Sequence, residues 1–170
     1  MGDEGQPREE MIGELWERGE ISVGDEHLAT EISLRVLALQ REAVRVASER
    51  RHRRVMLATP SGEQHVLALR MLDGLLREGG YDVLMLGPDV PPEVLVDFAS
   101  RYEPDVVCLS ATMPDTSDGL LIAIDEVRRR YPRTGFLVGG SGVTSRVRPL
   151  PGVDVGQRVS DALVRRAHMN

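Results

Sequence analysis

Lysine is absent from this 170-residue chain, and all 21 of its basic side chains are arginine. That excludes chemistry built on a lysine amine: a P-loop lysine, a Schiff base, or the lysine that a phospho-receiver domain needs near its fifth strand. Cysteine is nearly absent too. The single thiol, Cys108, lies in an apolar run and cannot form an internal disulfide, which suits a reducing compartment. Aromatic side chains make up only 4%, with one tryptophan, Trp16. No apolar stretch approaches the roughly 18 residues that span a bilayer. The start Met1-Gly2-Asp3-Glu4 lacks the basic and apolar regions of a secretory signal, so a cytoplasmic protein with no membrane contact is expected. Positive charge is in deficit: 27 acidic against 21 basic residues give a net charge of -6. That balance offers no broad footprint for phosphates, so direct DNA binding by this chain alone is not expected.

What is present is an ordinary globular composition, 41% hydrophobic and 28% charged, with a change of pattern along the chain. Residues up to about 50 read as helix and the rest as alternating strand and helix. The boundary is set at the run Arg50-Arg51-His52-Arg53-Arg54, giving a helical domain over 1–52 and an α/β domain over 53–170. Such a run reads as a solvated boundary, or as a contact for a partner or nucleic acid. A short helix is expected over 9–18, carrying Met11, Ile12, Leu15 and Trp16 and stopped by Gly19. A second begins at Ser22, whose hydroxyl pairs with Asp25 in a capping-box-like pattern. Leu28, Ile32, Val36, Leu39, Ala43 and Val46 then recur at three- and four-residue steps as a buried stripe, with Leu34, Leu37 and Val44 off it. These two helices form part of a four-helix bundle, and their apolar surface needs a cover: the second domain, a ligand or another chain.

Beyond residue 54 the apolar runs 55–58, 83–86, 106–109, 136–138 and 153–155 read as strands. Helices are expected over 63–78, 92–101, 117–131, 143–147 and 159–168. Strict alternation implies right-handed crossovers and a five-stranded parallel, flavodoxin-like (Rossmann-like) sheet of order 2-1-3-4-5. In that order a crevice opens at the carboxyl ends of strands one and three. The loops bordering it are Thr59-Pro60-Ser61-Gly62-Glu63-Gln64-His65, then Ser110-Ala111-Thr112, then Gly139-Gly140-Ser141-Gly142. His65 in such a place can ligate a metal, with Glu63 holding its other ring nitrogen. The Ser110 and Thr112 hydroxyls can orient a polar ligand, and the paired glycines leave room for a bulky one. One soft ligand does not make a bare zinc site, but a metal already caged in a macrocycle needs only one. Taken singly, these elements favour a plainer reading, a helix-start histidine and a strand-to-helix turn; their joint spacing favours a site.

The spacing resembles the cobalamin-binding pattern Asp-x-His-x-x-Gly, Ser-x-Leu, Gly-Gly. Here Glu63-Gln64-His65-Val66-Leu67-Ala68 is followed, after residues 69–109, by Ser110-Ala111-Thr112 and, after 113–138, by Gly139-Gly140. Glu63 stands for Asp, Ala68 for Gly and Thr112 for Leu. The resemblance implies that His65 is the lower axial cobalt ligand and that Ser110, Thr112 and the glycines line the channel for the nucleotide tail. Trp16, separated by residues 17–25 from Glu26-His27, resembles the motif of the CarH/LitR-type photoreceptors, which bind adenosylcobalamin. That family implies a helical cap over the upper face: Trp16 packs near the adenosyl group, Glu26 contacts it, and His27 can reach cobalt after photolysis. Trp16 also reads as a core residue, and Glu26-His27 as first-turn residues that suit a helix dipole.

Such photoreceptors carry a winged-helix DNA-binding domain and a longer bundle ahead of the Trp motif, whereas fifteen residues precede Trp16 here. The expectation is therefore a non-enzymatic adenosylcobalamin-binding sensor, light-responsive, acting through self-association or a regulatory protein partner in transcriptional control. The alternative is a corrinoid carrier subunit of a methyltransferase system. A cofactor-free interaction module is the third reading.

Overall fold

Apolar runs too short for helices become parallel strands: β1 (Arg54–Pro60), β2 (Asp82–Val90), β3 (Val106–Ser110), β4 (Gly135–Gly139) and β5 (Val153–Val155). In the computed structural model, residues 18, 22–43, 53–147, 150 and 153–155 are described. The sheet order is β2-β1-β3-β4-β5. Four strands of five residues or more make its body, and the expected fifth is only a three-residue edge segment pairing Phe136–Val138 of β4. The helices are α1 (Val23–Ala43), α2 (Leu67–Glu78), α3 (Pro92–Tyr102) and α4 (Ser117–Arg130), with a 3-10 turn at Pro114–Thr116.

Because α/β crossovers put helices on both faces, β1 and β3 are buried along almost their whole length rather than alternating. Leu95 of α3 and Leu120 and Ile124 of α4 share one core with Met56, Val107 and Phe136. Leu69, Leu72 and Leu76 of α2 share the other with Leu57, Cys108 and Leu137. Each such buried side chain contributes about 1.5–3 kcal/mol.

The chain divides into two compact units, 1–44 and 45–170. The expected boundary after residue 52 adjoins residues outside the described ones. In the first unit, the amide of Asp25 donates to Ser22 Oγ (3.2 Å) and the amide of Ser22 donates to Asp25 Oδ2 (2.9 Å), so the α1 start is a reciprocal cap. Of the stripe expected to be buried, Leu28, Ile32 and Val36 are exposed, while Thr30, Ser33, Leu34 and Leu37 form the half-buried face; the side chains of Leu39, Ala43 and Val46 lie outside the described residues. Periodicity marks an apolar face but cannot say whether this chain supplies its cover. The helices expected over 9–18 and 159–168 lie outside the described residues. Among the described residues, no helix is long and apolar enough to cross a membrane.

Two further expectations are corrected. The helix expected from residue 63 starts at Leu67, because residues 63–66 are held as a loop by the Glu63 side chain. The segment 143–147 is a set of turns rather than a helix, with Val147 donating to Thr144 O at 3.2 Å.

Candidate functional site

β1 ends in Thr59-Pro60 and hands the chain to a loop at the carboxyl edge of the sheet, where Glu63 is fully buried and His65 is exposed. An ionised carboxylate can be buried only if its lone pairs are met by donors. Here four N–H groups meet them. Oε1 accepts from the His65 amide (3.0 Å) and lies 2.5 Å from His65 Nδ1. Oε2 accepts from the amides of Thr112 (2.6 Å) and Met113 (2.9 Å), with the Thr116 hydroxyl 3.4 Å away. Burial pushes the Glu63 carboxyl up, but the Met113, His65 and Thr112 amides and the His65 ring outweigh it and hold its pKa below the ordinary value. A carboxylate only accepts, so the shared ring proton belongs on Nδ1 and the Nε2 lone pair is left for a ligand.

The other two loops close around this pair. Ser110 ends β3 buried, in register with Gly139 at the end of β4. Thr112 is half-buried and contributes its amide to Glu63, while its carbonyl accepts from Ser141 Oγ at 3.0 Å. Gly140 has φ +105, and a Cβ there would sit 2.2 Å from the Ala111 oxygen; at Gly142 it would sit 2.4 Å from the Met113 oxygen. At Gly140 the missing Cβ admits the neighbouring backbone that carries the Thr112 and Met113 amides.

Glu63, His65, Ser110, Thr112, Gly139 and Gly140 thus gather at one sheet edge. Ala68 lies exposed in the first turn of α2. Trp16 and the Glu26 side chain lie outside the described residues, and His27 is exposed on α1. Sequence reasoning missed Asp89, Met113 and Thr116, and placed Thr59 and Gly142 in the crevice loops without giving either a role. Met113 acts through its main chain and has no side-chain signature, whereas Gly142 is visible as a third glycine of the β4 loop.

Among the described residues, no three His, Cys, Asp or Glu side chains gather as ligands for a metal ion. A single imidazole backed by a buried carboxylate suits a metal whose in-plane positions are filled by a macrocycle. The donor set therefore fits cobalamin.

Residues 53–164 match the family model described as B12 binding domain, and residues 6–40 match a second model with the same description. The HTH-type transcriptional repressor CarH of Myxococcus xanthus is 31% identical over 136 residues, which are 79% of this chain and 44% of that protein. The chain thus spans less than half of that relative. Monomethylamine corrinoid protein 1 of Methanosarcina acetivorans is 26% identical over 147 residues, 82% of this chain and 67% of that protein. The solved monomethylamine corrinoid protein of Methanosarcina barkeri superposes with a TM-score of 0.71 at 17% identity, covering 95% of this chain and 78% of that one, a likeness of fold.

Proposed function

This chain belongs to the B12 binding domain family, and on that premise we propose that it holds cobalamin through His65 and works as an adenosylcobalamin-dependent light sensor rather than as an enzyme. The observation that carries cobalamin binding is the buried Glu63 carboxylate 2.5 Å from His65 Nδ1 at the sheet edge. Bound cobalamin supplies a cobalt–carbon bond that can be broken by light in the adenosyl form or by transfer in the methyl form. The residues do the rest. His65 would hold cobalt through Nε2, Glu63 keeps the ring proton on Nδ1, and Ser110, Thr112, Gly139, Gly140 and Ala68 would border the nucleotide tail. Trp16 and Glu26 would hold the adenosyl group and His27 would offer a further nitrogen to cobalt, a reading supported by their spacing and by the 31% identity to a CarH repressor. Residues 1–52 would supply the cap domain, and the response would pass to a second copy or a regulatory partner inside the cytoplasm.

One observation favours a second reading. The 26% identity to a corrinoid protein of which this chain covers 67% fits a methyl carrier that docks with methyltransferases. The test mixes the chain with adenosylcobalamin in the dark and records absorption and gel-filtration size before and after green light. A histidine-ligated spectrum that changes on illumination together with the size supports the sensor. Stable binding without adenosyl preference or light response moves the assignment to the carrier, and no binding overturns both.

A further inference from the structure

Val66 caps the helix that follows the His65 loop without any side-chain hydrogen bond. The main chain of the loop is held from β1 and β2. The Thr59 hydroxyl, fully buried, donates to the Glu63 carbonyl at 2.5 Å and accepts from the Asp89 amide at 2.9 Å. The same Asp89 amide lies 3.0 Å from the Glu63 carbonyl, and Asp89 Oδ1 accepts from the Gly62 amide at 2.7 Å. Reaching the loop takes β2 out of register: Leu57 pairs Met85, Ala58 pairs Gly87 and Pro60 pairs Val90, so the register slips once between Leu57 and Ala58 and again between Ala58 and Pro60. Asp89 lies there at φ 53 and Gly87 at φ 98, two left-handed residues within three positions. Such backbone persists where surrounding contacts over-determine it, and bulges of this kind re-aim neighbouring groups.

We propose that Asp89, acting with Thr59, is a positioning residue that clamps the main chain at Gly62 and Glu63 and thereby sets the Glu63 carboxylate against His65 Nδ1. Both act through Glu63 rather than on the ligand. The clamp rests on the reading of His65 as the cobalt ligand only for its consequence in binding; its effect on the ring is a property of the protein alone. Asp is suited to the place twice over, since it accepts the Gly62 amide and tolerates positive φ better than most residues.

The test uses the full chain with four variants. Asp89→Asn keeps an acceptor and the backbone tolerance, and Asp89→Gly keeps only the backbone. Thr59→Ser keeps the hydroxyl, and Thr59→Val removes it at nearly constant shape. Asp89 is exposed, so its variants leave the cores intact. The first readout is the long-range ¹⁵N–¹H spectrum of the His65 ring in cofactor-free protein. Asn and Ser are expected to keep the wild-type Nδ1–H ring, while Gly and Val mix the two tautomers. The second readout is retention of adenosylcobalamin in its histidine-ligated form, expected to fall about tenfold in Gly and Val, the low end for displaced outer partners of metal-bound histidines. Gly and Val variants with the wild-type ring spectrum overturn the clamp, as does an Asn variant as altered as Gly. A wild type that takes up no cobalamin sinks the functional reading, and the ring spectra still decide the clamp.

Discussion

Replacing Glu63 by Gln keeps the shape and removes one acceptor, and the structure says which way the new amide must turn. Each carboxylate oxygen serves two N–H groups: Oε1 faces the His65 amide and ring, Oε2 the Thr112 and Met113 amides. If the NH₂ faces Thr112 and Met113, two backbone donors lose their acceptor, at about 1–3 kcal/mol each. If it faces His65, one backbone donor is lost and the ring can adapt by accepting at Nδ1. The second arrangement wins. The expected destabilisation is therefore about 1–3 kcal/mol, and the ring proton moves to Nε2, where it blocks ligation. Urea unfolding of the cofactor-free protein measures the first quantity. Long-range ¹⁵N–¹H spectra at about pH 8, where an ordinary imidazole is neutral, measure the second. A variant that keeps Nδ1–H, or whose stability matches wild type within about 0.5 kcal/mol, refutes the assignment of Glu63 as the group that fixes the ring.

Gly140→Ala places a Cβ 2.2 Å from the Ala111 oxygen at a backbone of φ +105, so it should destabilise by about 2–4 kcal/mol in a urea titration; a change below about 0.5 kcal/mol would show that the two loops do not pack this closely. Burial pushes the Cys108 thiol up to about 12, so the native protein should resist iodoacetamide at about pH 8 while the urea-unfolded chain is labelled; rapid native labelling contradicts the buried β3. The Glu63 carboxyl is held below its ordinary 4.5, so its stabilising contribution is complete above that value and is lost as pH falls through the folded pKa. The urea midpoint of wild type should accordingly drop more than that of Glu63→Gln between about pH 6 and about pH 3, and parallel losses would remove Glu63 from the acid response.

The sheet was legible because its signal is repeated. Each strand is an apolar run bounded by helix-period segments, and the parallel order follows from that alternation with few alternatives. The ends of elements were less so. An α2 start at residue 63 fits propensity as well as the observed Leu67, and only the tertiary bonds of the Glu63 carboxylate to Thr112 and Met113 decide against it. The α1 face failed for a different reason. Leu28, Ile32 and Val36 at four-residue steps fix a stripe, but burial is a property of what lies opposite, which periodicity does not contain.

The candidate site divides along the same line. His65, Glu63 and Ser110 carry their chemistry in side chains, so their spacing in the sequence marks them as a group before the fold does. Thr112 stands where the family pattern has Leu, yet its contact with Glu63 runs through the main-chain amide, which either residue supplies equally. Glu63 stands for Asp, and its carboxylate meets His65 through one oxygen and the β3 loop through the other. Shortening it by one carbon–carbon bond of about 1.5 Å would force that loop or His65 to follow, so the longer side chain and the loop positions belong together. The clamp at Thr59 and Asp89 is the extreme case: each of its four bonds has a backbone atom at one end or both, and it draws on β2, to which none of the family's motif positions points. Motif reading sees side chains, and a loop aimed by main-chain hydrogen bonds becomes visible only when the strands that aim it are in register.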